Sequence, residues 1–125
     1  MSAKTVLLVD DAAFMRKVLS TMLTAEGYTV VGEAPNGLIG MEMYKELKPN
    51  LAILDITMEV MDGIEATRGI REYDPNANII VCSAMLGQSL MIAEALKAGA
   101  RDCIKKPFQK EQVLEKVSKA FENIG

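Results

Sequence analysis

Val6-Leu7-Leu8-Val9-Asp10-Asp11 is a short apolar run closed abruptly by two carboxylates. Four apolar residues in succession, rich in Val and Leu, suit a strand buried on both faces of a parallel sheet. Three later runs end the same way. Leu51-Ala52-Ile53-Leu54 ends at Asp55, Ile79-Ile80-Val81-Cys82 ends at Ser83, and Cys103-Ile104 leads through Lys105 to Lys106-Pro107. If these runs are parallel strands of one sheet, their ends share one edge. Three acids, a hydroxyl and an ammonium then converge where open α/β sheets bind ligands.

The spaces between the runs have helical periodicity. Strands are expected over 5–9, 29–33, 51–54, 78–83 and 101–104, each buried on both faces. Met15, Val18, Leu19, Met22 and Leu23 mark one face of a helix over about 13–26, ended by Gly27. Asn36-Gly37 opens a second helix carrying Met41, Tyr44 and Leu47, which stops before Pro49. A third begins at Asp62-Gly63 and gives way at Asp74-Pro75-Asn76. A fourth runs over about 88–98, with Gly99 as a left-handed cap. Val113, Val117, Ala120, Phe121 and Ile124 form the apolar face of the last. Five βα units make a three-layer α/β sandwich, with right-handed crossovers placing helices on both faces. Periodicity leaves the strand order open, a Rossmann-like order included.

Composition bounds the function. A chain of 125 residues with 50% apolar and 25% charged side chains fits one globular domain, expected to span 1–125. A net charge of -3 and the lack of a basic stripe argue against binding nucleic acid. No apolar stretch approaches the ~18 residues of a membrane span. The start offers no signal-peptide core, so a cytoplasmic location is expected. Cys82 and Cys103 lie inside strand-like runs without CxxC spacing, and read as buried free thiols.

Asp10, Asp11 and Asp55 would raise one another's pKa strongly if left bare, and a divalent cation removes the conflict. Mg²⁺ suits such oxygen ligands and keeps other positions for water and phosphate. Helix capping explains one Asp but poorly explains an adjacent pair facing a third. A carboxylate can attack phosphorus to give an aspartyl phosphate. Asp55, alone at the end of the most apolar run, suits the nucleophile, while Asp10 and Asp11 suit the metal. Ser83 can donate to a phosphoryl oxygen, and Lys106 supplies a point charge. Phosphoryl transfer asks mainly for positioning and charge neutralisation, which this set offers.

These residues resemble the response-regulator receiver family along the whole chain, specifically its stand-alone chemotaxis type. The matching stretches are VLLVDD at 6–11 followed by AAFMRKVL, NG at 36–37, LDITM with MDG at 54–63, VCSAM at 81–85, AGA at 98–100 and KKPF at 105–108. The resemblance implies a flavodoxin-like five-stranded parallel sheet of order 2-1-3-4-5. It implies Asp55 as phosphoacceptor, with Asp10, Asp11, Asp55 and the backbone carbonyl of Thr57 around Mg²⁺. It implies Ser83 as switch hydroxyl, Lys106 as the cation on the phosphoryl group, and a cis bond before Pro107. A histidine kinase would be the phosphodonor, and a flagellar motor switch protein or a phosphatase the downstream partner of a monomer. The chain would catalyse only its own phosphorylation and dephosphorylation. A phosphorelay intermediate passing phosphate to another His protein is the alternative.

Two positions depart from the family pattern. Glu59 stands four residues after Asp55, where Pro is usual, and reads as a solvated loop residue; the alternative places it in the cation's outer shell. Cys103 stands three residues before Lys106, where close relatives carry Tyr or Phe, so no ring can report the switch. Met85 and Met91, near the fourth helix, could serve a partner surface, although core packing explains most of the nine Met residues. Met85 and Thr57 could also tune how water reaches the phosphorus. Other classes fit less well. A haloacid-dehalogenase-type phosphatase wants an Asp-x-Asp pattern, and a flavodoxin's FMN phosphate would meet repulsion from Asp10-Asp11. A degenerate, unphosphorylated receiver is at odds with the complete acid–Ser–Lys set.

Overall fold

The computed structural model describes residues 3–84 and 88–122. Five strands alternate with five helices: β1 Thr5–Val9, α1 Ala13–Ala25, β2 Thr29–Ala34, α2 Gly37–Leu47, β3 Leu51–Asp55, α3 Gly63–Tyr73, β4 Ile79–Ser83, α4 Ser89–Ala98, β5 Asp102–Lys105 and α5 Lys110–Glu122. All strand pairs are parallel and the order is β2-β1-β3-β4-β5, which removes the Rossmann-like alternative. The expected elements are present, with boundaries shifted by a residue or two.

Alternation along the strands sorts the core into two layers. Val6, Leu8, Leu51, Ile53, Ile80, Cys82 and Ile104 pack against Leu19 and Leu23 of α1 and Val113, Val117 and Ala120 of α5. Leu7, Val9, Ala52, Leu54, Ile79 and Val81 pack against Tyr44 of α2, Ile64 and Ile70 of α3 and Ala95 of α4. Each fully buried Leu or Ile contributes roughly 1.5–3 kcal/mol of transfer free energy, so the three central strands anchor the fold. The expectation that all five strands are buried on both faces holds only for these three. β2 is mostly half-exposed and β5 ends exposed, because both are sheet edges with one flank open. Leu47, counted on the buried face of α2, is 39% exposed at that helix's last turn. Ile124 lies outside the described residues.

The helix ends follow their local chemistry. Asn36 and Asp62 cap α2 and α3 by accepting from the backbone N–H of Ile39 and Glu65, both at 2.9 Å. Gly99 closes α4 at φ 118, a left-handed conformation that glycine adopts without a Cβ penalty. The Lys106–Pro107 bond is cis.

Candidate functional site

The register fixes where each chemical group emerges. β1 and β3 pair from Val6–Leu51 to Val9–Leu54, so Asp10 and Asp55 leave neighbouring strands at the same edge. Asp11 follows one residue on. Carboxylate oxygens of all three lie within 4.8 Å of one another. Asp10 is 3% exposed and Asp55 7%, whereas Asp11 faces solvent. The trio therefore has two buried members and one open side.

Lys106 reaches this cluster from beyond β5. Its Nζ donates to Asp10 Oδ2 and to Asp55 Oδ2, each at 3.1 Å. Burial alone would lower the Lys106 pKa, but its bonds to Asp10 and Asp55 and their charges outweigh that, so the net shift is upward and the group stays an ammonium. Burial is the largest influence on Asp55 and raises its pKa. Asp10 adds to the rise, while the charge and hydrogen bond of Lys106 and the backbone N–H of Thr57 oppose it. Three carboxylates against one ammonium leave two negative charges in a confined space. The donors are all hard oxygens, with no thiol or imidazole in the group, so the set fits a small divalent cation of the Mg²⁺ kind.

The loops are held tightly. Asp10 Oδ1 accepts from Ala12 N–H at 2.9 Å, and the Arg16 guanidinium donates to the Asp10 carbonyl at 2.5 Å. Arg16 also pairs with Glu33 on β2 at 3.2 Å. Gly63 N–H donates to Ile56 O at 2.8 Å, and Gly37 N–H to Met61 O at 2.9 Å, so α3 and α2 both grip the loop after Asp55. A Cβ on Gly63 would stand 2.2 Å from the Asp55 carbonyl oxygen, which explains the glycine. Val60 adopts φ 70, uncommon for a β-branched residue, in the segment that departs from the usual Pro. Its neighbour Glu59 is exposed and stands outside the carboxylate group, as a solvated loop residue does.

Ser83 is at the expected strand end but is fully buried, and its hydroxyl pairs with Cys103 Sγ at 3.4 Å rather than with a carboxylate. Both cysteines are buried free thiols, on opposite faces of the sheet. Thr57 is exposed, and its hydroxyl accepts from Gln88 Nε2 at 2.8 Å. Met91 is half-buried and packs on the core, in favour of the packing reading, while Met85 lies outside the described residues. The structure thus brings Asp10, Asp11, Asp55 and Lys106 together and keeps the Ser83 hydroxyl turned to β5. Arg16, Gly63 and Gln88 were not singled out as site residues by the sequence. The MDG stretch carried a signal for Gly63; an Arg or Gln within a helical pattern carries none.

The family model described as response regulator receiver domain matches residues 6–118. The chain is 57% identical over 116 residues to the chemotaxis protein CheY of Thermotoga maritima, covering 93% of this chain and 96% of that protein. It is 50% identical over 119 residues to the chemotaxis protein CheY of Bacillus subtilis, covering 95% and 98%. Among solved structures, the Borrelia burgdorferi CheX-CheY complex with BeF3 and Mg²⁺ is similar at a TM-score of 0.88 and 36% identity, over 94% of this chain and 88% of that one.

Proposed function

Because the chain belongs to the response regulator receiver family and is a phosphoacceptor signalling protein of the CheY chemotaxis type, not an enzyme turning over an external substrate, we propose the following roles for its residues. Asp55 accepts the phosphoryl group. One carboxylate oxygen attacks the phosphorus of a phosphohistidine on a histidine kinase, the P–N bond breaks, and the electron pair returns to the imidazole. Asp10, Asp11, Asp55 and the Thr57 carbonyl hold Mg²⁺, the ion present in the Borrelia burgdorferi complex. Bound there, the ion supplies positive charge to the phosphoryl oxygens. Lys106, already bonded to Asp10 and Asp55, supplies a second positive charge beside the acceptor carboxylate.

Phosphorylation adds about -1.5 to -2 charges and three strong acceptor oxygens beside Asp55. Ser83 then exchanges Cys103 for a phosphoryl oxygen, and the fourth and fifth βα units shift. Since Cys103 is a thiol and not an aromatic ring, the shift is carried by Ser83 and α4 without a ring movement. A protein partner reads that change, as a motor switch component or a CheX-like protein would, in the cytoplasm and with residues 1–125 acting as one receiver unit. The single observation that carries this reading is the trio of carboxylates bridged by Lys106. The test is intact mass after incubation with acetyl phosphate and Mg²⁺. Wild type gains one phosphoryl group, Asp55→Asn gains none, and omission of Mg²⁺ prevents the gain; labelling of Asp55→Asn to the same extent would refute the assignment.

A further inference from the structure

Gln88 stands at the N-cap position of α4 but makes no side-chain bond to its own helix. Its side-chain amide instead reaches back across the rim. Oε1 accepts from the backbone N–H of Ala84 at 2.5 Å, and Nε2 donates to Thr57 Oγ1 at 2.8 Å. One side chain therefore ties the loop after β3, the residue after β4 and the first turn of α4. Thr57 and Gln88 are 31 positions apart, so the link is tertiary.

The Ala84 N–H is the donor that matters. Asp55 is in register with Cys82, the Ile56 N–H donates to Cys82 O at 2.9 Å, and the Lys106 N–H donates to Ser83 O at 2.8 Å. These bonds place Ala84 just past the strand end on the rim that carries Asp55. Its N–H donates to the Gln88 side chain and not to a neighbouring strand. Lys106 Nζ and the Thr57 N–H already serve the Asp55 carboxylate. A phosphoryl group on Asp55 brings further oxygens that need donors, and an anionic oxygen is a stronger acceptor than a neutral amide.

Resting on the phosphoacceptor reading above, we propose that Gln88 is a positioning residue for the unphosphorylated state. Its amide oxygen occupies the Ala84 N–H that a phosphoryl oxygen must take over, so phosphorylation of Asp55 releases α4 from both loops. The link couples chemistry at Asp55 to a helix whose outer side bears Leu90, 83% exposed, and Leu96, 44% exposed. It does so through a side chain, without the aromatic residue that Cys103 replaces.

The test uses fluoroberyllate, in the presence of excess Mg²⁺, titrated calorimetrically into the full chain. Gln88→Met keeps the length and removes both bonds, so it should bind about thirtyfold more tightly than wild type, the worth of two net hydrogen bonds lost from the resting state. Gln88→Glu keeps an acceptor for Ala84, loses the donor to Thr57 and adds a negative charge, so it should bind more weakly than wild type. A merely structural role would move both variants the same way. In wild type, the Ala84 amide and Gln88 side-chain amide resonances should shift together as fluoroberyllate saturates. Equal affinity in all three chains, or a Gln88 amide unmoved at saturation, would overturn the proposal while leaving Asp55 as acceptor. Failure of wild type to bind fluoroberyllate at all would overturn the phosphoacceptor reading, and this one with it.

Discussion

At the scale of single residues, the site is a balance between burial and charge. Asp55 is 7% exposed, and its burial outweighs the pull of Lys106, so its carboxyl is held above the ordinary value of 3.8. The folded chain thus binds that proton more tightly than the unfolded chain does. The stability contributed by Asp55 is full below pH 3.8 and is lost as the pH rises through the folded value. At neutral pH, without divalent cation, the ionised carboxylate is a cost that an amide would not carry. Asp55→Asn should therefore be more stable than wild type in EDTA at pH 7, by on the order of 1 kcal/mol. The gap should narrow as the pH falls through the raised value. Urea melts of both chains at a series of pH values check this, and a wild type that is the more stable one at pH 7 in EDTA would contradict it. Lys106 has the same sign at the alkaline end of the scale: its raised pKa contributes stability that persists below 10.5 and fades only as the pH rises through the folded value.

At the scale of elements, the loop between β3 and α3 shows how backbone sterics serve the chemistry. Gly63 opens α3 with its Cα pressed to the chain it has just left, and any Cβ would stand 2.2 Å from the Asp55 carbonyl oxygen. That obstacle is backbone, which cannot rotate aside. Gly63→Ala should cost about 1–3 kcal/mol, the usual range for overpacking. Because the displaced atoms belong to Asp55 itself, acetyl-phosphate labelling should slow by far more than the melting curve implies. A labelling rate equal to wild type would show that the loop relaxes without disturbing the Asp55 carboxylate. The same loop marks where sequence reading reached and where it stopped. The runs ending at Asp10, Asp55 and Lys106 located the acidic edge because strand ends in a parallel sheet must share a rim, and register does the rest. The two edge strands are more exposed than their sequence predicts, since apolar runs look alike whether one flank or two are covered. Ser83 was legible as a position but not as a rotamer: its pairing with Cys103 at 3.4 Å depends on the offset between β4 and β5, which no local pattern encodes. Gln88 was invisible for the same reason, its partners lying in two other loops.

At the scale of the whole molecule, the sheet is an assembly that brings like charges together and so stores a conflict at one edge. Two covered faces hold β1 and β3 rigidly, with Val6 to Val9 and Leu51 to Leu54 all essentially inaccessible to solvent. The chain therefore cannot relieve the repulsion between Asp10 and Asp55 by moving them apart without exposing the core. Lys106 relieves part of it from β5, across β3 and β4, and two negative charges remain. A divalent cation that binds this edge binds only where the strands are in register, so it binds the folded chain and not the unfolded one. Such a ligand stabilises by RT ln(1 + [L]/Kd), about 2.7 kcal/mol at a hundredfold excess over Kd. The melting temperature of wild type should therefore climb steadily with Mg²⁺, whereas the same concentrations of Na⁺ charge equivalents should leave it nearly unchanged. Asp55→Asn, more stable than wild type in EDTA, should gain far less from Mg²⁺, so that the two melting curves cross as the ion is added. Parallel curves that never cross would mean that the cation acts by general screening and that the three carboxylates do not form one site.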